Sequence, residues 1–368
     1  MRPPANTGGV AGDRTADSAP QVSPSGGSAL LTLGATVLVI AGISWGRDIL
    51  APFLLAAALV VITYPVRGAV RRRVTAGWVA TTALIASSYA ILILMAGLLF
   101  FAASRFAQLI PEFSGALDAA ATGLAEALRA LGFHHDSAQN ASGWLEPGSL
   151  LTVAVAIVAY LADSVVALCF VFIYIFFLSV DATYFPIIRE RFAASRRAQI
   201  ESLARLFAGI RRYFAVSAVF GAVVAALDFV LLLALQVPGA VVWGILAFVT
   251  NFIPNIGFVL GLLPAAIFAF LSGGWVTALI VIASYCLINV ALQTFIQPRF
   301  VGHAVDLSQT LTFGSVVFWT VVIGPLGAVL AVPLTLAARA ALIRPGRDGA
   351  WARWLTGDRR DHSPSTRE

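Results

Sequence analysis

No lysine occurs in this sequence of 368 residues: all 24 basic residues are arginine. A Walker A loop needs its Lys against the nucleotide phosphates, so the chain holds none. Chemistry through a Lys Schiff base is excluded with it. Cysteine is nearly missing. Cys169 and Cys286 each sit inside an apolar run and read as small core residues, not as a disulfide framework. The four histidines (His134, His135, His303, His362) form no HExxH pattern and have no Cys beside them, which argues against zinc. Charge is scarce as well. Charged residues make up 11% and apolar residues 59%, where an average soluble domain has roughly 25% charged. So few charges cannot cover a water-facing surface, and the natural solvent for this chain is lipid. The fold class is therefore all-α: a polytopic membrane protein of about eight transmembrane helices, with Gly/Pro-broken segments in the C-terminal half. A net charge of +6 does not point to nucleic acid here, because excess Arg in a membrane chain sets orientation. No metal and no cofactor is expected.

Residues 1–28 are rich in Pro, Gly, Ser and Ala without apolar periodicity, and read as a disordered cytoplasmic tail. A secretory signal would place its basic stretch directly before the apolar run, which it does not. Apolar segments follow at Ala29–Trp45, Ile49–Val66, Val74–Ala103, Leu150–Ser179, Tyr213–Leu235 and Trp275–Gln297, with two long Gly/Pro-marked stretches at 238–272 and 304–343. Together 29–343 form the transmembrane domain, and 344–368 a polar tail. Two polar interruptions stand out. In the 104–149 insert, Leu117, Ala121, Leu124, Leu128 and Leu131 make the stripe of an amphipathic helix, with Pro111 placed to start it and Gly132 to cap it. In 181–212, Ile200, Leu203, Phe207 and Ile210 make a second stripe, expected as an amphipathic surface helix.

Arginine placement orients the chain. The N-terminal tail, the 67–73 loop, the 181–212 stretch and the region from Arg339 onward carry twenty of the 24 Arg. The 104–149 insert carries Arg105 and Arg129 against five acids. Both termini are expected on the cytoplasmic side and the insert outside. Arg299 conflicts with a simple eight-span layout. It moves inside if 238–272 and 304–343 each fold as a hairpin, and both layouts stay open.

Two patterns carry the candidate chemistry. In Asn251-Phe-Ile-Pro254-Asn255-Ile-Gly257, continuing through Gly261 to Pro264, prolines, glycines and asparagines interrupt an apolar segment. Pro removes a backbone donor and Gly relaxes the chain, so a helix breaks here. Unpaired backbone at membrane depth persists only inside protein or beside a water-filled cavity, and broken helices build the midplane sites of many secondary transporters. The competing reading is a packing kink in which Gly257 and Gly261 form a GxxxG contact. The second pattern, Gly324-Pro325-Leu-Gly327 through Pro333, has no polar side chain and reads as packing or hairpin formation. Between them lie Gln293 and Gln297, four apart on one helix face, followed by Pro298 and Gly302. Asn251, Pro254, Asn255, Gly257, Pro264, Gln293 and Gln297 are the candidate substrate pathway. Asp163 and Asp228 are carboxylates inside apolar segments. An Asp at a helix centre costs about 2.5–3.5 kcal/mol to insert, so each must face the bundle or water. They are candidates for ion coupling, against a reading as carboxyls bonded to a neighbouring helix.

The chain resembles the autoinducer-2 exporter (AI-2E) family of bacterial permease-like membrane proteins. Phe252-Ile-Pro254-Asn-Ile-Gly257 with Pro264, Gln297-Pro298-Arg-Phe-Val-Gly302 and Gly324-Pro-Leu-Gly327 through Ala331-Val-Pro333 carry the resemblance. Leu178-Ser-Val-Asp181 and Pro65 with its Arg cluster add to it. It covers roughly residues 30–343, and Asn255 and His303 depart from the family's pattern. The resemblance implies a multi-pass transporter of the bacterial inner membrane that exports a small polar molecule. Its partners would be the lipid bilayer, that solute, and H+ or Na+. Sodium–proton antiport and a non-transporting scaffold are the other readings, and an enzyme is not expected. Gly42/Gly46 and Gly257/Gly261 are compatible with a homo-oligomer.

Overall fold

The computed structural model describes residues 26–132, scattered positions between 134 and 143, 146–192, 194–292 and 307–342. Helix is the only regular secondary structure among them. The helices are α1 Gly26–Trp45, α2 Arg47–Arg71, α3 Gly77–Glu112, α4 Ser114–Ala130, α5 Pro147–Asp163, α6 Val165–Asp181, α7 Phe185–Phe192, α8 Arg197–Ala234, α9 Ala240–Thr250, α10 Ile256–Val290, α11 Gln309–Ile323 and α12 Pro325–Leu342. Residues to Gly42 form one compact unit and those from Ile43 another. In the first unit, α1 begins at Gly26, inside the expected tail; the rest of that tail lies outside the described residues.

Among the described residues, five helical segments are long and apolar enough to cross a membrane: Arg47–Arg71, Gly77–Glu112, Val165–Phe192, Arg197–Ala234 and Ile256–Val290. Five shorter apolar helices, of 10–17 residues, stand beside them. The chain is thus a multi-pass membrane protein built from long and short helices, not from uniform spans. Leu150–Ser179 shows why a hydropathy reading blurs this. It reads as one apolar run, but Ser164 (φ −71, ψ 2) divides it into α5 and α6. Hydropathy measures apolar length and cannot register a one-residue break.

In the second unit, α2, α3 and α6 pack around Ala56, Leu59, Leu84, Leu92, Val171 and Ile175. A hydrogen bond of 2.7 Å between Thr63 Oγ1 and Ser88 Oγ ties α2 to α3, and the Tyr89 hydroxyl donates to the Phe172 carbonyl of α6 at 2.9 Å. Arg67 is not in a loop as the sequence suggested; it lies in the last turns of α2, 6% exposed. The expected core cysteines do not sit in the core either: Cys169 is exposed and Cys286 only partly covered. In a lipid-facing protein the apolar side of a helix need not be the inner side.

The insert is smaller than its polarity suggested, because α3 runs on to Glu112 and Pro111 lies in its last turn. Of the expected stripe on α4, Leu117 and Ala121 are buried, Leu124 and Leu131 are exposed at 36% and 77%, and Ala125, outside that stripe, is buried instead. Leu117 packs with Ile110 of α3 and Ala154 of α5, beside Ile267 and Leu271 of α10. Gly132 follows the helix with φ 90, the left-handed geometry that glycine adopts at a C-terminus. In the 181–212 stretch, the Ile200–Ile210 stripe is not a separate surface helix. It forms the first turns of α8, whose 38 residues extend about 57 Å.

Both Gly/Pro-marked stretches are helical hairpins. In the first, α9 and the first half of α10 run antiparallel, and α10 bends at Gly274 (φ 72, ψ −172) before continuing. In the second, Gly324 (φ 87) separates α11 from α12, and Trp319 Nε1 donates to Thr335 Oγ1 at 3.0 Å across the pair. A glycine makes each hairpin possible. A Cβ on Gly257 would run into the Thr250 carbonyl, and one on Gly327 into the Trp319 carbonyl. Gly324, Gly327 and Pro333 thus serve the second hairpin, with Pro333 inside α12. Its tight turn follows from Gly324 reaching a φ that other residues rarely adopt.

Candidate functional site

The site is built on α8. Ile210, Phe214, Ser217, Gly221, Val224, Asp228 and Leu232 recur every three or four residues and form its buried seam. A glycine on α9 lets the two helices approach. A Cβ on Gly244 would lie 3.3 Å from Phe229 Cβ and 3.4 Å from the Ala225 carbonyl oxygen. With no hydrophobic drive between helices in lipid, such close packing is what holds them together.

The turn from α9 to α10 follows from its sequence. Ile253 N donates to the Thr250 carbonyl at 2.8 Å, Pro254 offers no N–H, and Asn255 takes φ 63, ψ −40. Asn255 is thus the centre of a γ-turn, closed by Ile256 N donating to the Pro254 carbonyl at 2.7 Å. Gly257 N then donates to the Ile253 carbonyl at 3.0 Å and the second helix starts. Two bonds fasten this turn to α8. Asn251 Nδ2 donates to the Ser217 carbonyl at 2.8 Å, and the Tyr213 hydroxyl donates to the Phe252 carbonyl at 2.8 Å. Gly221 leaves the room: a Cβ there would sit 2.9 Å from Asn251 Nδ2. On its other side the turn meets the second hairpin, with Ile253 and Ile256 packed against Val316, Ala328 and Ala331.

Under the turn lies a cavity of about 10 Å³. Val224 and Asp228 of α8, Ala247 and Thr250 of α9, Asn251 of the turn, and Gly257, Phe258, Gly261, Tyr285 and Asn289 of α10 line it. Asp228 is 0% exposed, and neither carboxyl oxygen has a hydrogen-bond partner among the described residues. The Tyr285 hydroxyl, on a side chain 1% exposed, has none either. The Thr250 hydroxyl donates to the Leu246 carbonyl at 2.8 Å, and Asn289 Nδ2 donates to the Tyr285 carbonyl at 3.0 Å. With the Thr250 hydroxyl and the Asn251 amide donating to backbone carbonyls, the oxygen of each is left to accept. Among the described residues, no basic side chain lines it. A small electropositive species is what such a lining can hold.

Of the residues singled out in the sequence, Asn251, Gly257 and Asp228 come together at this cavity. Pro254 and Asn255 form the turn but do not line it, and Pro264 lies inside α10 beyond it. The packing reading of Gly257 and Gly261 holds at the same time. A Cβ on Gly261 would be 3.3 Å from Thr250 Oγ1, so these glycines bring α9 and α10 together and leave the cavity between them. Asp163 closes α5, but its side chain lies outside the described residues, as do Gln293, Gln297, Pro298 and Gly302. Sequence reasoning missed Thr250, Tyr285 and Asn289. A signal was present: Tyr285, Asn289, Gln293 and Gln297 recur every four residues, one polar face along an apolar run.

Comparison with known proteins gives a consistent result. Residues 33–344 match the family described as AI-2E family transporter. The chain is 26% identical over 324 residues to the AI-2 transport protein TqsA of Escherichia coli, an alignment covering 88% of this chain and 94% of TqsA. It is 25% identical to a putative transport protein of Haemophilus influenzae, covering 85% and 91% of the two chains. With the putative transport protein YhhT of Escherichia coli it shares 26%, over 86% and 90%.

Proposed function

The chain belongs to the AI-2E transporter family and is a multi-pass membrane transporter, and from that premise we propose that it exports a small polar molecule by secondary transport, with flux coupled to a cation at Asp228. One observation supports the coupling: Asp228 is fully buried in a helix of the membrane domain, lines the cavity, and has no hydrogen-bond partner for either oxygen among the described residues. An intramembrane carboxyl is costly to keep and marks a substrate or ion pathway. The chain lacks a Walker A lysine and so carries no nucleotide loop of its own, which supports a gradient as the source of energy. The broken segment Asn251–Gly257 supports an alternating-access reading, since discontinuous helices line transporter sites.

In this reading the cargo path runs beside the hairpin turn, with Asn251, Pro254, Asn255, Gly257 and Pro264 on or near it, and Gln293 and Gln297 remain candidates for it from the sequence alone. Asp163 is a second candidate for ion handling. The protein sits in the bacterial inner membrane with both termini cytoplasmic, as the Arg asymmetry indicates. The name of TqsA suggests a cargo of the autoinducer-2 class.

The test compares untargeted metabolite profiles, inside and outside, of cells with the wild-type protein, with Asp228→Asn, and without the protein. Expected is a polar solute that the wild type moves outward and that Asp228→Asn leaves behind, in a manner sensitive to collapse of the ion gradient. Export by Asp228→Asn at the wild-type rate would remove the carboxyl from the mechanism.

A further inference from the structure

We propose that the elbow between α7 and α8 binds one anionic phospholipid, with part of an acyl chain in an apolar groove and the phosphate against Arg189, Arg191 and Arg196. The site is independent of the transport reading above and stands or falls without it. Three observations carry it.

The first is an uncovered groove. It has a volume of about 280 Å³ and lies between α7 and the first turns of α8, lined by Ile188, Phe192, Arg196, Gln199, Ile200 and Leu203. Ile188 and Phe192 are one turn apart on a single helix face, and they stay 49% and 43% exposed. Helix α7 has eight residues and buries none of them. So short a helix is marginal in water on its own propensity, and its apolar face calls for a cover from outside the chain. The Phe185 and Phe207 rings, 5.6 Å apart between centroids, hold α7 to α8 and keep the two walls of the groove together.

The second is position. Apolar α6 ends at Asp181, and Thr183 N and Tyr184 N donate to the Val180 and Asp181 carbonyls, each at 3.0 Å, in turns that lead straight into α7. The groove therefore opens within a few residues of the end of a membrane-crossing segment, at the level where interfacial helices meet headgroups.

The third is charge. Arg189 and Arg191 flank the Ile188–Phe192 face, and Arg196 is on the groove itself. All three are exposed and none has an ion pair among the described residues. Arg196 Nη1 donates to Gln199 Oε1 at 3.1 Å, a neutral partner that leaves its charge uncompensated. Arg197, by contrast, pairs with Glu201 at 2.8 Å. An apolar groove edged by three uncompensated guanidinium groups matches an acyl chain joined to a phosphate. A second copy of the elbow would bring the same positive charge against it. So would the chain's own 343–368 segment, with six Arg against four acids.

The experiment uses the full chain purified in detergent micelles that contain a phosphatidylglycerol with a photoreactive diazirine in its acyl chain. Adducts are mapped by peptide mass spectrometry. Expected are adducts concentrated on residues 185–203 that unlabelled phosphatidylglycerol competes off. Phosphatidylcholine should need about 100-fold more, and the triple variant Arg189→Gln, Arg191→Gln, Arg196→Gln should raise the phosphatidylglycerol midpoint by a similar factor, about fivefold for each Arg. These side chains are exposed, so Tm should not change. Arg129→Gln, on α4, should keep the wild-type midpoint. Adducts spread evenly over the lipid-facing helices would overturn the proposal, as would phosphatidylcholine competing on equal terms or an unchanged midpoint in the triple variant. Competition by inorganic phosphate alone would refute the lipid as ligand. Cross-linking of two elbows that survives excess phosphatidylglycerol would assign the groove to a protein interface and refute it as well.

Discussion

Replacing Gly257 by alanine places a methyl carbon 2.6 Å from the Thr250 carbonyl carbon and closer still to its oxygen. Ordinary contact begins near 3.4 Å. Both partners are backbone, so no rotamer change relieves the overlap, and α9 and α10 must move apart by the order of 1 Å. Overpacking of this kind costs typically about 1–3 kcal/mol. It strains the hairpin where Asn251 and Phe252 are bonded to α8. A gain in helix propensity of up to about 1 kcal/mol offsets part of the cost. Two further glycines calibrate the scale. Gly261 has Thr250 Oγ1 and the Ala247 Cα at 3.3 and 3.4 Å from an added Cβ, a tight but accommodable fit, and Gly97 on α3 has nothing within 4 Å. Thermal unfolding in detergent should rank the alanine variants Gly97 at or above wild type, Gly261 slightly below, and Gly257 lowest. Given roughly 2–4 °C per kcal/mol for a chain of this order of size, Gly257→Ala should lose about 2–10 °C. Export should fall with it, because the cavity wall moves. A Gly257→Ala variant that unfolds with Gly97→Ala and exports normally would refute the close contact between the two hairpin helices.

Tyr213→Phe removes the donor to the Phe252 carbonyl; about 1 kcal/mol of stability should go with it, and a thiol-reactive probe at Asn251→Cys should label faster. That labelling requires replacement of Cys169 and Cys286, and Asn255→Cys, exposed in the turn, should label readily while Phe268→Cys in the core does not. Gly257 is unsuitable for the same scan, since any side chain there collides with backbone. Thr63→Val leaves the buried Ser88 hydroxyl without its partner across α2 and α3 and should lower Tm, a loss of about 1–2 kcal/mol, without changing the dependence of export on the ion gradient. Accessibility tags at residues 10, 70, 195 and 360 should report one side of the membrane and a tag at 135 the other; residues 70 and 135 on the same side would end the orientation argument.

The class of the protein was legible from composition alone, and so were the turn residues of the site. Asn251-Phe-Ile-Pro254-Asn255-Ile-Gly257 reads as a break because Pro and Gly act on the local backbone whatever surrounds them. Gly324-Pro325 reads as packing or a hairpin, and the structure selects the hairpin. Gly132 terminates α4 for the same local reason. What local chemistry could not reveal was which apolar runs are single helices. Leu150–Ser179 is divided at Ser164 with no proline or glycine to mark it. The amphipathic stripe at 200–210 merges into α8 because nothing between Ile210 and Phe214 stops the helix.

The sequence by itself determined that this chain lives in lipid, that its energy does not come from a nucleotide loop of its own, and that helix geometry fails near Pro254. These follow from residue totals and from backbone constraints acting over a few positions. Only the tertiary structure decided what Asp228 faces. Asp228, Thr250, Asn251 and Tyr285 lie on three helices and a turn, and their meeting depends on how closely Gly221, Gly244, Gly257 and Gly261 let those helices approach. Tyr285 is 57 positions from Asp228 along the chain, too far for any local rule to pair them. A lone carboxylate in an apolar segment signals a cost to be met, but packing alone selects the groups that meet it.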